Sequence, residues 1–209
     1  MGLVIKEQGI DMDPVPAGIH VAVAYGIYDL GTHHDELYGK DVHKILINWE
    51  IPEERIELER DGQKLNLPRA ISKRYNMSLN TKATLRKDLD AWRGRAFTAK
   101  ELEGFDIKNV LGAACQIQVV HKASQTTSKV FANVQTIMAL GKGMQPPEME
   151  NEPQWFSFQE GTELPESTPG WIADIIKSSQ EWLALSDGAT VDEESIPASD
   201  GEDLSGMPF

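Results

Sequence analysis

Ile45, Ile47, Trp49 and Ile51 recur at every second position of residues 42–51, with Lys44, Asn48 and Glu50 on the intervening parity. A period of two sends the two sets to opposite faces of an extended chain, so this stretch reads as a half-buried strand that Pro52 ends. Residues 17–28 are β-prone, and Gly26 stands where a bulge would let that strand coil sharply. Asp61-Gly62 favours a tight hairpin turn between residues 55–59 and 64–67, and residues 71–79 extend again. Residues 113–122 alternate Cys115, Ile117 and Val119 against Gln116 and Gln118, and residues 129–140 form a last β segment before Gly141-Lys142-Gly143.

One helical insert interrupts this pattern. Asn80-Thr81 are suitable capping residues, Leu85, Leu89 and Trp92 recur at helical spacing, and Gly94 stops the helix. Thr98 followed by Glu101 is a capping-box pattern for a short second helix through about Glu103, closed by Gly104. Beyond Gly143 the chain turns to Pro and Glu, reading as a linker with a short docking strand at Trp155-Phe156-Ser157-Phe158. A single amphipathic helix is expected from Pro169 to about Leu185, carrying Trp171, Ile172, Ile175, Ile176, Trp182 and Leu183. From Ser186 onward there are seven acidic residues and no basic ones, a composition expected to be disordered.

The expected fold is therefore mainly β. Five strands with a helical insert before the last two match the five-stranded, partly open Greek-key barrel of the OB-fold. The expected divisions are residues 1–143 as an OB-fold-like domain, 144–185 as linker and C-terminal helix, and 186–209 as an acidic tail.

Net charge is −13, but its distribution matters more than its sum. Residues 1–61 carry 5 Lys/Arg against 13 Asp/Glu, residues 62–142 carry 14 against 5, and residues 143–209 carry 1 against 15. The balances are −8, +9 and −14. A basic middle between acidic ends suits a nucleic-acid-binding body with an acidic tail, because phosphate contacts need only local cations.

Other function classes find little support. No stretch approaches the roughly 18 consecutive apolar residues of a membrane helix, and residues 1–7 show no basic segment followed by an apolar one, so no membrane partner and a cytoplasmic location are expected. The single Cys115 makes no internal disulfide and cannot alone hold a structural zinc. Gly141-Lys142-Gly143 lacks the spacing of a phosphate loop, and neither GxSxG nor GxGxxG is present. His33-His34-Asp35-Glu36 reads as a solvated loop between Gly31 and Gly39, since adjacent residues seldom converge on one ion. Cys115 and His121, six residues apart on one strand, would lie roughly 20 Å apart, too far for a nucleophile and its base. Neither catalysis nor a cofactor is expected.

The positive signal is cations interleaved with aromatics. Lys73-Arg74-Tyr75, Lys82, Arg86-Lys87, Trp92-Arg93-Gly94-Arg95-Ala96-Phe97, Lys122 and Lys129-Val130-Phe131, with Lys44 and Trp49, would let cations track phosphates while ring faces accept unpaired bases. Trp49 and Trp92 also share faces with aliphatic neighbours, where the competing reading is core.

Residues 85–98, Gly104-Phe105-Asp106, Leu111-Gly112, Cys115, Val119-Val120-His121-Lys122 and Ala132-Asn133-Val134 resemble a family of small bacteriophage proteins encoded among replication and recombination genes. The likeness spans roughly residues 15–143. It implies an OB-fold-like single-stranded-DNA binder acting in the cytoplasm of an infected bacterial host. The last ten residues, with Asp200, Glu202, Asp203, Leu204, Met207, Pro208 and Phe209, resemble the tip of bacterial single-stranded-DNA-binding proteins, and the match is sharpest at Pro208-Phe209. That resemblance implies recruitment of replication or recombination proteins by the terminal Phe and the acids before it. Leu204-Ser205-Gly206 between the acids and Met207 departs from the pattern.

The reading that follows is a single-stranded-DNA-binding protein of phage replication or recombination, with homo-oligomerisation left open. Its rivals are a structural or assembly protein built on a β-barrel and a recombination annealing factor.

Overall fold

In the computed structural model, which describes residues 13–36, 39–60, 62–124 and 129–189, the first strand, β1 (Gly18–Asp35), is hydrogen-bonded along both edges. With β2 (Lys40–Arg60), β3 (Gln63–Asn76), β4 (Ala114–Ala123) and β5 (Val130–Met138) it makes an antiparallel sheet in the order β3-β2-β1-β4-β5. The sheet curls into a half-barrel that brings the two edge strands, β3 and β5, toward each other. Along β1, residues 18–23 pair with β4, and residues 26–28 pair in parallel with a short strand β6 (Gln154–Phe156). The register between β1 and β2 shifts between Ala24 and Gly26, the bulge expected at that glycine.

The alternation of β2 sorts as expected on the inner side. Ile45, Ile47, Trp49 and Ile51 are buried there with Ala24, Ile27, Ile71, Cys115, Ile117 and Val119. The half-barrel is plugged by helix α1 (Thr84–Arg93), whose Leu85, Leu89 and Trp92 enter the same core. Gly94 ends α1 in the left-handed region at φ 67°, which only glycine adopts freely. The outer side is not solvated throughout: Tyr28, Leu30 and Leu46 are covered by Phe156 of β6 and by Ile172 and Ile176 of α3 (Gly170–Lys177).

Several expectations are corrected. Pro52 does not end its strand; β2 runs on to Arg60, with Ile51 pairing Arg69 and Arg55 pairing Pro68, so Pro52-Glu53-Glu54 loop out where no ladder N–H is needed. Residues 64–67 and 71–79 are not separate strands but parts of β3, which stops at Asn76. Gly62, at φ 75°, lies in the turn expected there, while Asp61 is outside the described residues. His33, His34 and Asp35 are not on a loop: they end β1 and pair Val42, Asp41 and Lys40.

Asn80-Thr81 do not cap α1. Ala83 precedes it without a side-chain cap, and a turn closed by Ala83 N–H on the Asn80 carbonyl (2.8 Å) intervenes. The capping box of Thr98 and Glu101 is present at α2 (Ala99–Glu103), and a 3₁₀ turn at Ile107–Val110 follows it.

The single C-terminal helix is two. Ser179, fully buried, accepts the Trp182 N–H at 3.2 Å and so caps a separate helix, α4 (Gln180–Ala189), that extends past the expected start of the tail. Residues 190–209 lie outside the described residues. Among the described residues no helix is long and apolar enough to cross a membrane.

Candidate nucleic-acid interface

An open cleft of about 1180 Å³ runs along β3, whose far edge has no strand partner among the described residues. One wall is the β4–β5 hairpin, with His121 and residues 129–132; the other is the C-terminal region, with Asn151, Pro169 and Trp171. Pro68 sits on this edge strand, where its missing N–H costs no ladder bond. Residues 13–15 close part of the cleft: the Val15 carbonyl lies 2.8 Å from His121 Nε2, and Arg69 donates to the Asp13 carbonyl.

The structure divides the sequence-predicted site residues into three groups. Trp49, Tyr75, Trp92 and Phe97 are buried in the core, and this corrects their assignment as platforms for bases, because no ring face is open. The Trp49 and Trp92 rings meet at 5.8 Å between centroids, and Trp92 Nε1 donates to the Ala114 carbonyl at 3.0 Å. The physical reason is the strand and helix periodicity that also placed them beside aliphatic neighbours.

A second group of predicted cations is paired internally. Lys73 Nζ and the Tyr75 hydroxyl both donate to Asp88 Oδ2 of α1, at 2.7 and 2.9 Å. Burial, and then the Asp88 charge, push the Tyr75 phenol upward. Arg93 and Arg95 converge on Glu101, and Arg93 also lies 4.2 Å from the Phe97 ring centroid and 5.2 Å from that of Phe105. Hydrogen bonds from Arg95, then from the Thr98 backbone, hold the Glu101 carboxyl well below the usual range. Lys44 stands 3.9 Å from Asp35, and Arg86 stands 3.9 Å from Asp90 while donating to the Leu79 carbonyl. Much of the basic character of the middle segment is thus spent holding α1, α2 and β3 together.

The third group faces solvent. Phe131 is 53% exposed and, with Lys129, lines the cleft; Lys122 is exposed on the neighbouring strand, opposite Phe131. Lys82 and Lys87 are exposed around α1, and among the described residues neither they nor Lys122 carries an ion pair. Arg74 is exposed on the outer face of β3, its guanidinium carbon 5.8 Å from the Trp171 ring centroid. The structure therefore brings Lys122, Lys129 and Phe131 together and leaves Lys82 and Lys87 on a separate element. The expected partner-binding residues Asp200, Glu202, Asp203, Leu204, Met207, Pro208 and Phe209 lie outside the described residues.

Sequence reasoning missed the C-terminal wall of the cleft. The sequence counts Trp171 among the apolar residues of one amphipathic helix, yet α3 buries Ile172 and Ile176, four residues apart, and Trp171 falls off that stripe, 46% exposed. The signal was present: an aromatic one position out of phase with an i, i+4 pair. Across the cleft floor are Asn48, Ser72 and Tyr25, the last pushed up to about 12, first by burial, then by Tyr28 and Glu50.

Other chemistry-bearing groups are accounted for structurally. Burial raises the Cys115 thiol far from its reactive form, while His121 is exposed and bonded to Val15. His34 lies 2.8 Å from Asp41, and His43 2.6 Å from Asp29. Among the described residues no group of three His, Cys, Asp or Glu is placed to hold a metal ion. Comparison with models of protein families, with curated proteins and with solved structures found no match.

Proposed function

We propose that the chain binds single-stranded DNA along the cleft beside β3, without catalysing a reaction. The observation that carries this reading is the cleft itself, about 1180 Å³ and open to solvent, with the exposed ring of Phe131 on one wall, the exposed Lys122 opposite it on the neighbouring strand, and the indole of Trp171 on the other wall. Cations beside open ring faces suit an unpaired strand, in which phosphates and bases are both available.

Support for an OB-fold comes from the strand order β3-β2-β1-β4-β5, the helix between β3 and β4, and the approach of β5 to β3. In that fold the face of strands 2 and 3 and the loop joining strands 4 and 5 bind oligonucleotides, and the cleft touches both regions here. The sequence likeness to phage replication and recombination proteins supports that setting, in a bacterial cytoplasm. Under the same reading residues 200–209 recruit replication or recombination proteins.

Titrating tryptophan fluorescence with oligo-dT across a salt series tests the reading. Quenching, with affinity that falls steeply as salt rises, is expected. A second reading, a structural or assembly protein, is favoured by one observation: Lys73, Arg93 and Arg95 are each held by a carboxylate. Absence of oligo-dT binding at micromolar protein and low salt would select it.

A further inference from the structure

We infer that Trp171, Arg74 and Asn48 form a subsite for one unpaired nucleobase at the α3 end of the cleft, an inference that rests on the single-strand reading and specifies what the strand inserts there. Trp171 leaves 46% of its surface in solvent while the adjacent Ile172 is fully buried, so the helix presents the indole to the cleft instead of using it for packing. Arg74 projects from the outer face of β3 to within 5.8 Å of the ring centroid. With the guanidinium over one face of the indole, a planar base stacks on the other.

The floor supplies the polar half. Asn48 is only 4% exposed and lines the cleft, and among the described residues its Oδ1, almost without accessible surface beneath the cleft floor, has no hydrogen-bond partner, so a base edge reaches it only by parting the side chains over it. Gly26 leaves the room this side chain occupies: a Cβ there would come within 3.2 Å of Asn48 Cβ. A buried carbonyl oxygen without a donor is costly, and a ligand N–H relieves it. Every base offers such a donor, the ring N3–H of thymine or an exocyclic amino group of the others. An acceptor thus discriminates little among bases, as a protein that coats DNA without sequence preference requires. The Ser72 hydroxyl, on the same floor, serves as donor or acceptor for the rest of the base edge.

The test uses the full chain and two probes of about 16 nucleotides, oligo-dT and an abasic strand of equal length. Trp171→Ala should weaken oligo-dT binding about 5- to 100-fold and leave the abasic strand unaffected. Trp171→Phe, which keeps an aromatic face, should retain most of the affinity and lose most of the quenching. An oligomer of N3-methylthymidine, which lacks the donor for Asn48, should bind the unaltered chain more weakly than oligo-dT. If oligo-dT binds the unaltered chain and Trp171→Ala equally well, the subsite is refuted while the single-strand reading stands. If the unaltered chain binds neither probe, both fall.

Discussion

Glu181 of α4 is joined twice to Thr32 of β1, its Oε2 accepting the amide proton and its Oε1 the hydroxyl proton, each at 2.6 Å. The same carboxylate lies 3.4 Å from His43 Nδ1, while His43 Nε2 lies 2.6 Å from Asp29. An imidazole between two carboxylates ties the β1–β2 hairpin to the last described helix. The hydrogen bond to Asp29, and then the charges of Asp29 and Glu181, raise the His43 pKa against the opposing effect of burial.

A raised histidine stabilises the fold in full below its unfolded pKa of about 6.5 and loses that contribution as pH rises through the folded value. The thermal midpoint should accordingly decline as pH rises from about 6.5 through the folded value, and His43→Gln should flatten that part of the profile. Circular dichroism melts at closely spaced pH values check it; an unchanged slope in the variant would show that His43 is not the group responsible.

Gly31 has φ 75°, and a Cβ there would stand 2.5 Å from Ser179 Cβ and 2.6 Å from Glu181 Oε2. Both the backbone conformation and the space forbid a side chain. Gly31→Ala should cost about 1–3 kcal/mol or more, measured by urea unfolding, and should loosen α4 from the sheet. Proteolysis near residues 178–180 would report that loosening.

Trp49 and Trp92 are structural. Trp92→Ala should destabilise by about 3–5 kcal/mol, since it empties core volume and orphans the Ala114 carbonyl. Trp49→Phe should fold and bind oligo-dT with unaltered affinity in the fluorescence titration. A large loss of binding in a stably folded Trp49→Phe would contradict the burial of that ring.

Glu101 gathers Arg93, Arg95 and the Thr98 amide onto one carboxylate held well below its usual pKa. Its contribution is present above the unfolded pKa of about 4.3 and disappears as pH falls through the folded value. Glu101→Gln should lower the melting temperature at pH 7 and narrow the gap to the unaltered chain at low pH.

Lys122→Glu should weaken DNA binding across sequences and reduce the slope of log affinity against log salt by about 1. Lys87→Glu, on α1 and away from the cleft lining, should change that slope little. Equal effects from the two would locate the strand elsewhere.

Strand alternation and helix spacing were legible because both follow from which side chains need burial. Ile45 through Ile51 predict their own face, and Leu85, Leu89 and Trp92 predict theirs. Charge was less legible, because a count of Lys and Arg does not say what faces them. Lys73-Arg74-Tyr75 reads as one basic and aromatic patch, yet alternation turns Lys73 and Tyr75 toward Asp88 and Arg74 outward. Asp88, Asp90 and Glu101 were visible in the sequence, and Arg86–Asp90 even stands at helical i, i+4 spacing, but only the packing of α1 on β3 makes Asp88 the partner of Lys73 and Tyr75, and only the turn between α1 and α2 brings Glu101 to Arg93 and Arg95. The break between α3 and α4 escaped for a related reason: Ser178-Ser179 is tolerable within a helix, and its role as a cap follows from the fit of Ser179 against Gly31.

Glu50 sits without solvent exposure on the outer face of β2, and its carboxylate is satisfied by the Glu150 amide, the Asn151 amide and the Asn151 side chain at 2.6, 2.9 and 2.5 Å. Those three donors come from a stretch that by composition looked like a tether. A chain cut after Gly143 would lose all three donors and the cover over Glu50 at once, so the shorter polypeptide would leave that carboxyl to water alone. What reads as a leash is thus a clasp.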